Sequence, residues 1–145
     1  MQNIKKITTT ETFPVRQAVL RAGKPIESCH FDGDNLETTV HFGVFSNQKL
    51  AGIVSAYKKN NTIFIEKEQF QIRGMAVLEN YRKDGFGKTL LKYCEQHCTT
   101  EGISLIWFNA RTEASGFYEK MGYQKKGDPF EINDVGPHIL MFKNI

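Results

Sequence analysis

The chain has 145 residues, of which 40% are hydrophobic and 24% are charged, and its formal net charge at pH 7 is +3. This composition is typical of a globular protein, and we expect residues 1–145 to form a single domain with a buried core. The small net charge, with Lys and Arg interspersed among Asp and Glu, argues against a nucleic-acid binder or a membrane-surface protein.

The expected location is the cytoplasm. The N-terminus lacks the apolar segment of a secretory signal, and no apolar run approaches the roughly 20 residues of a membrane span. Three cysteines, an odd number, fit reduced thiols better than a disulfide framework.

The first third of the chain predicts a strand, a short helix and a long loop. Residues 4–11 carry β-branched side chains in partial alternation, which favours a strand. A helix follows from Thr12 as N-cap, with Pro14 in its first turn and Gly23 at its end. Residues 24–37 are rich in turn-forming residues.

The middle of the chain predicts an antiparallel hairpin and a further strand. The β-rich runs 38–46 and 49–59 are joined by Asn47 and Gln48. After a turn at residues 60–61, the segment 62–77 is too long for one straight strand. Gly74 is the natural place for a bend or bulge in it.

The last part predicts a helix, a buried strand, a short helix and a final strand, at residues 85–99, 104–110, 112–122 and 136–143. Gly102 ends the first helix, while Thr112 as N-cap and Gly122 as C-cap bound the second. This order of elements predicts an α/β fold with a mixed, largely antiparallel central sheet flanked by helices.

The most informative stretch is the pattern Arg-x-x-Gly-x-Gly, formed by Arg82, Gly85 and Gly87. Glycines let the backbone approach a bulky anion at a helix start, where amide hydrogens are free and the helix dipole is positive. Lys83 and Lys88 add cations, so a pyrophosphate suits the site. Capping glycines and solvated lysines explain the same residues equally well when this stretch is taken alone.

Two other phosphate-binding patterns match less well. In a P-loop, Gly87, Lys88 and Thr89 fit the end of the motif, but its first glycine falls on Arg82. In a dinucleotide fingerprint, the third glycine position is occupied by Leu90. We therefore consider both improbable.

The segment QIRGMAVLENYRKDGFGKTLL, residues 71–91, resembles the acetyl-coenzyme A (acetyl-CoA) binding motif of the GCN5-related N-acetyltransferase (GNAT) superfamily. Downstream, NARTEASGFYEKMGY resembles a second hallmark, with Ala114, Tyr118 and Gly122 at four-residue spacing and Tyr123 as the usual aromatic residue. The order of elements resembles that of the GNAT acyl-CoA N-acyltransferase fold over nearly the whole chain. The closing FEINDVGPHILMF is similar to a branch whose substrates are mostly unassigned.

The resemblance implies a cofactor site without metal, in which acetyl-CoA is the co-substrate. Backbone groups of Met75, Ala76 and Val77 would pair with the pantetheine amides as an added strand. The pyrophosphate would be wrapped by a continuous segment with Thr89 at its edge, namely Arg82, Lys83, Asp84, Gly85, Phe86, Gly87 and Lys88.

Tyr118 is the implied catalytic residue, a general acid that protonates the departing thiolate. The alternative is an aromatic residue of a core stripe with Phe117 and Met121. A backbone N–H at the bulge near Met75 would stabilise the oxyanion. No covalent enzyme intermediate is needed, since the amine attacks the thioester directly.

The sequence departs from the family pattern at one position. Arg111 stands where an asparagine often contacts the cofactor, and Asn109, two residues earlier, is a substitute candidate. The general base is not identifiable, and Glu131 and His138 in the last segment are weak candidates for it.

Two other groups suggest sites and have simpler explanations. Cys94, His97 and Cys98 have helical spacing, but the cysteines continue the apolar stripe of Leu90 and Leu91, so we expect buried thiols rather than zinc ligands. Four arginines are candidates for the lining of a pocket for an anionic acceptor, although solvated or ion-paired arginines are the simpler interpretation: Arg16, Arg21, Arg73 and Arg111. Trp107 is expected in the core.

The predicted function is transfer of an acetyl group to a primary amine of a small molecule or peptide. The alternative is a non-catalytic acyl-CoA sensor of the same fold. No nucleic-acid or membrane partner is expected, and exposed strand edges make a homodimer plausible.

Overall fold

Seven strands rich in β-branched and aromatic residues form one mixed sheet in a computed structural model that describes residues 2–145. The order across the sheet is β1-β2-β3-β4-β5-β7-β6. All neighbours are antiparallel except β4 and β5. The strands are β1 (Gln2–Ile7), β2 (Val40–Ser46), β3 (Lys49–Lys58), β4 (Gln69–Val77), β5 (Leu105–Arg111), β6 (Gln124–Ile132) and β7 (Gly136–Asn144).

Three α-helices flank this sheet, and the predicted fold class is confirmed. They are α1 (Thr9–Val15), α2 (Phe86–Thr100) and α3 (Ser115–Lys120). Among residues 2–145, no helix has the length and apolar character needed to cross a membrane.

The start of α1 differs from the prediction. Thr8, not Thr12, is the N-cap, because its hydroxyl accepts from the Glu11 N–H at 3.2 Å while the Glu11 carboxylate accepts from the Thr8 N–H at 2.8 Å. This capping box ends β1 at Ile7. Thr12 is buried inside the helix, where its hydroxyl donates to the Thr9 carbonyl oxygen at 2.6 Å.

Helix α1 continues into one wider π-helical turn, Arg16–Leu20. The Arg21 N–H closes it by donating to the Arg16 carbonyl oxygen at 2.9 Å. The predicted loop follows and contains one 3₁₀ turn, Ile26–Cys29.

The predicted hairpin is confirmed, but β4 begins later than expected. Asn47 and Gln48 both have positive φ, 50° and 71°, as the tight turn between β2 and β3 requires. Residues 62–68 form a loop rather than a strand, and the buried Gln69 side chain bonds to this loop. Its amide donates to the carbonyl oxygens of Asn61 and Glu66, and its oxygen accepts from the Asn61 N–H.

Two differences occur near the C-terminus. α3 begins at Ser115 after the 3₁₀ turn Thr112–Ala114, so its N-cap is Ala114 and not Thr112. The Ser115 hydroxyl donates to the Thr112 carbonyl oxygen at 2.8 Å. Strand β6 was not predicted. It is an edge strand exposed from Gln124 to Glu131, so the hydrophobic pattern that identifies a strand is missing.

The sheet has two faces of different character. The α2 face is covered by α2 and α3 over a large apolar core that includes Leu90, Ile106 and Met141. The α1 face carries a smaller apolar cluster, Ile7, Val15, Ile53 and Ala76. Cys94 and Cys98 are buried in the α2 face and Trp107 is buried as well, as predicted.

Candidate active site

The sheet opens between its two parallel strands. Within the described residues, β4 and β5 are paired only over Gln69–Gln71 and Leu105–Trp107. Beyond this point β4 continues to Val77 and β5 to Arg111, each still bonded to its outer neighbour. One edge of each strand therefore borders an open space, which we call the β4–β5 gap.

Backbone alternation determines which groups of β4 face the gap. The Leu78 N–H donates to the Ala51 carbonyl oxygen, and a Cβ on Gly52 would lie 3.1 Å from the Ala76 carbonyl oxygen. The backbone N–H and C=O groups of Leu78 and Ala76 therefore point to β3. The backbone N–H and C=O groups of Met75 and Val77 then point into the gap. Of the three expected pantetheine partners, Ala76 thus has its carbonyl oxygen against β3.

A bulge at Gly74 produces this arrangement, as the sequence predicted. Ser55 pairs with Arg73 and Ile53 pairs with Ala76, so Gly74 and Met75 together face Val54. Gly74 has φ of +65°, a conformation that favours glycine. The extra residue directs the Arg73 side chain to the α1 face and Met75 to the α2 face.

Helix α2 begins beside the gap with free amide groups. Gly85 is the N-cap, with φ of +75° and no side-chain cap. The first helical bond is from the Thr89 N–H to the Gly85 carbonyl oxygen, at 3.1 Å, so the amides of Phe86, Gly87 and Lys88 precede it. A Cβ on Gly87 would lie 4.0 Å from the Met75 side chain, which brings the helix start to the edge of the gap.

The cations predicted for this site are exposed around the helix start. Arg82 and Lys83 lie on the preceding 3₁₀ turn, Glu79–Asp84, and the Arg82 side chain donates to the Val77 carbonyl oxygen at 3.2 Å. Lys88 is exposed in the first turn, which contains no acidic residue. The amides and cations together form a site suited to an anion.

The other predicted residues of this segment have structural contacts. Phe86 is buried and stacks on Tyr81 at 5.8 Å between ring centroids. The Thr89 hydroxyl donates to the Gly85 carbonyl oxygen at 3.0 Å, which stabilises the first turn. Asp84 is exposed at the end of the 3₁₀ turn.

Tyr118 of α3 lies on the α2 face with a free hydroxyl. Its ring packs on Phe108 at 4.5 Å and Phe117 at 5.1 Å between centroids, so it does belong to the core stripe. Phe117 in turn is 3.7 Å from a Cβ built on Gly87. Among residues 2–145 the hydroxyl has no hydrogen-bond partner, and burial raises the pKa of Tyr118 to about 12. It therefore keeps its proton at neutral pH.

Asn109 and Arg111 are exposed on β5 and belong to the α1 face. Phe108 and Ala110, between which Asn109 lies, pack into the α2 face with Tyr118. Alternation along the strand directs Asn109 and Arg111 to the other side. The two candidates for the missing family contact therefore share a face, opposite to that of Tyr118.

The two candidate bases occupy the β6–β7 hairpin. His138 is buried and pairs across the strands with Arg111 and with Phe130. Its Nδ1 lies 2.8 Å from the Gly136 carbonyl oxygen. Glu131 is exposed on β6 opposite Pro137. His138 is thus the nearer of the two to the β5 edge of the gap.

A buried polar network on the α1 face was not predicted. Arg16 is fully buried and bonds Asp34 at 2.7 and 3.0 Å and Ser55 at 3.1 Å. The Tyr57 hydroxyl also donates to Asp34, and His41 Nδ1 lies 2.6 Å from the Ser55 hydroxyl. These residues are far apart in the chain, so no local pattern signals the network.

The network controls the protonation of its members. Burial alone raises the pKa of Asp34, but hydrogen bonds from Arg16, Tyr57 and the Phe31 N–H outweigh burial and lower it from 3.8 to about 2. Burial raises the pKa of Tyr57 to about 12. Burial also lowers the pKa of His41. Asp34 is therefore ionised at neutral pH and forms an ion pair with the Arg16 guanidinium.

Two of the four candidate arginines have partners within the chain, in line with the simpler interpretation. Arg16 is engaged with Asp34, and Arg21 donates to the Ser28 carbonyl oxygen at 3.2 Å. Arg73 and Arg111 remain beside the gap.

A second concave region lies away from the gap. A cavity of about 450 Å³ lies at the opposite end of the sheet, between β-strand ends, His97 near the end of α2 and Glu101 just beyond the helix. Its lining includes two lysines, Lys6 and Lys58, and two glutamates, Glu37 and Glu101. No group of three or more His, Cys, Asp or Glu among residues 2–145 is arranged to hold a metal ion.

Known proteins share this architecture over nearly the whole chain. The family model described as "Acetyltransferase (GNAT) family" matches residues 4–123. The uncharacterized N-acetyltransferase YitI of Bacillus subtilis (strain 168) is 35% identical, over 100% of this chain and 97% of that protein.

Solved structures have the same fold at lower identity. The ribosomal-protein-S18-alanine N-acetyltransferase of Escherichia coli superposes with a TM-score of 0.78 at 19% identity, covering 100% of this chain and 94% of the other. A Bacillus subtilis acetyltransferase solved in complex with CoA superposes with a TM-score of 0.72 at 15% identity, covering 100% and 99%. By its family match and its close relative, the chain belongs to the acetyltransferase (GNAT) family.

Proposed function

We propose that this protein transfers an acetyl group from acetyl-CoA directly to a primary amine of a small molecule or peptide. The observation that carries the proposal is the β4–β5 gap, which ends at the uncapped start of α2. An extended ligand with amide groups can pair with Met75 and Val77 while its diphosphate meets the free amides and the cations of the helix start.

The residues around the helix start fit a diphosphate sterically as well as electrostatically. A Cβ on Gly85 would meet no atom within 4 Å, so the space in front of this backbone is open. Arg82, Lys83 and Lys88 supply charge-assisted hydrogen bonds to phosphate oxygens. Asp84, on the same turn, is exposed and can point away into solvent.

The chemical step requires one bond formed, one bond broken and two proton transfers. The neutral amine attacks the acetyl carbonyl carbon, forming the C–N bond, and the C–S bond then breaks. The gap-facing Met75 N–H at the bulge would stabilise the oxyanion. The thiolate takes the Tyr118 proton, and the amine gives up a proton to a base or to water.

Tyr118 favours an enzyme over a sensor. A sensor that only holds acyl-CoA has no need of a protonated hydroxyl that is free of protein partners at this position. Its hydroxyl carries its proton at neutral pH, as donation to a thiolate requires.

The test combines binding with turnover. Calorimetry should show association with acetyl-CoA and CoA, and ATP or NAD should give no comparable signal. Thiol release across an amine panel should then show turnover. Binding of CoA without thiol release from any amine would identify the sensor, and binding of ATP alone would overturn the proposal.

Two variants assign the roles. Tyr118→Phe should lower kcat on the order of 100-fold, because a general acid is lost, while acetyl-CoA affinity stays nearly the same. Tyr93→Phe, at an exposed tyrosine of α2, is the matched control. Equal loss of turnover and of binding in Tyr118→Phe would mean that Tyr118 is structural.

Arg82→Glu should weaken CoA binding about tenfold or more, because a charge at the diphosphate is reversed. Lys92→Glu, an exposed position farther along α2, is its control. Unchanged affinity in Arg82→Glu would remove the helix start from the site.

A further inference from the structure

Arg73 has a positive charge that nothing in the described chain neutralises. Its side chain is half-buried on the α1 face, and its guanidinium lies 5.0 Å from the Phe31 ring centroid and 5.5 Å from that of Tyr57. Within residues 2–145 it forms no ion pair and no side-chain hydrogen bond. The guanidinium lies over these two rings, and its N–H groups remain available to a ligand.

The nearby carboxylate cannot serve as the partner of Arg73. Both oxygens of Asp34 are occupied, by Arg16, by the Tyr57 hydroxyl and by the Phe31 N–H at 2.7 Å. Because Asp34 is paired with Arg16, it does not act as the counter-ion of Arg73. Partial burial of a cation without a counter-ion is unfavourable, and an anionic ligand would relieve it.

Arg73 lies close to the proposed oxyanion donor. It lies immediately before the Gly74 bulge and two residues before Met75, roughly 7 Å along the strand from the proposed oxyanion donor. Phe31 closes over the bulge, since a Cβ on Gly74 would lie 3.2 Å from its ring. Arg73 therefore faces the side of the gap opposite to Tyr118, from which an acceptor can approach.

A second arginine stands on the same face across the gap. Arg111, on β5, is 51% exposed and its one carboxylate neighbour among the described residues is Glu113 at 3.8 Å, a weak surface contact. Two guanidinium groups on opposite edges of the gap favour a ligand with a planar anionic group, which their N–H forks bind in a bidentate manner.

We infer that the acceptor amine carries a carboxylate and that Arg73 binds this carboxylate. The inference rests on the proposed acetyl transfer and adds the class of its substrate, a small amino acid-like amine. Arg73 acts as a specificity-determining residue that orients the amine toward the acetyl carbonyl, and Arg111 contributes more weakly because it is more exposed.

The experiment compares matched amines of the series H₂N–(CH₂)n–COO⁻, with n from 1 to 5, and their primary amides. Thiol release from acetyl-CoA gives kcat/KM for each acid and amide. For at least one chain length, the acid should exceed its amide about tenfold or more in the wild type. Arg73→Gln should bring this ratio to about one, and Arg73→Lys should retain part of it because the charge is kept and the fork is lost.

The acid-to-amide ratio is measured within one protein sample, so partial unfolding of a variant does not change it. Lys92→Gln, on the other side of the sheet, should retain the wild-type ratio. Equal rates for acids and amides in the wild type, an unchanged ratio in Arg73→Gln, or no turnover with any member of the series would each overturn the inference. Turnover of amines without a carboxylate would leave acetyl transfer standing in those cases, whereas CoA binding without turnover of any amine would identify the sensor instead.

Discussion

The two faces of the sheet are stabilised by different physical effects. The α2 face is an apolar core in which Leu90, Leu91 and Ile106 are fully buried. The α1 face has at its centre a charged pair, Arg16 and Asp34, that is also fully buried. Apolar burial depends on area and shape, whereas a buried ion pair depends on the presence of both partners. The faces should therefore respond differently to substitution and to pH.

The largest effect is expected from Asp34→Asn, which leaves the Arg16 charge buried without a counter-ion. The free energy of unfolding should fall by about 3–5 kcal/mol, as measured by urea denaturation. Glu113→Gln removes the exposed partner of Arg111 and should change stability by about 0.5 kcal/mol or less. A loss below about 1 kcal/mol in Asp34→Asn would mean that the network does not sustain the α1 face.

A similar or slightly smaller effect is expected from Leu90→Ala on the α2 face. Removal of a fully buried leucine leaves a cavity and should cost about 2–5 kcal/mol in the free energy of unfolding. Because no charge is involved, the loss should be the same at pH 7 and pH 4. A loss that changes with pH would contradict the proposed contrast between the faces.

The acid sensitivity of the α1 face is the next largest effect. The folded-state pKa of Asp34 is lowered from 3.8 to about 2, so its stabilisation is complete above pH 3.8 and is lost as pH falls toward 2. The decrease attributable to Asp34 is about 2 kcal/mol. Urea denaturation of the wild type and of the double variant Arg16→Met/Asp34→Leu over this range measures it, and equal slopes for both would refute it.

The smallest of these effects is expected from Gly74→Ala. The left-handed φ of +65° and the 3.2 Å approach to Phe31 should together cost about 1–2 kcal/mol in stability. Gly116→Ala is the matched control, because it lies in α3 with open space around its Cβ and should be neutral or slightly stabilising. Equal stability of the two variants would show that a methyl group at position 74 does not strain the bulge.

The sequence predicts the α2 face well because local patterns determine it. The stripe of Leu90, Leu91, Cys94 and Cys98 identifies both the helix and its buried side, and Gly74 identifies the bulge. The glycines and cations of residues 82–88 lie in one continuous segment, so their proximity follows from chain connectivity. The fold class follows from the order of these elements.

The α1 face is not predictable in this way. Arg16, Asp34, Ser55 and Tyr57 come from four separate segments, and only the folded chain brings them together. For the same reason the four candidate arginines cannot be distinguished from sequence. Their roles depend on whether a carboxylate partner lies nearby. Asp34 is the partner of Arg16, whereas Arg73 has no such partner among the described residues. Strand β6 is missed because an exposed edge strand lacks the alternation of a buried one.

The limited pairing between β4 and β5 has a consequence for internal motion. Three residue pairs join the four-stranded part of the sheet, β1 to β4, to the three-stranded part, β5 to β7. Rotation of one part of the sheet against the other is therefore resisted mainly at one end. A ligand bound along the open end would connect the two parts of the sheet through backbone hydrogen bonds. Amide hydrogen exchange at Met75 and Val77 would then report occupancy directly, through slower exchange in the filled state.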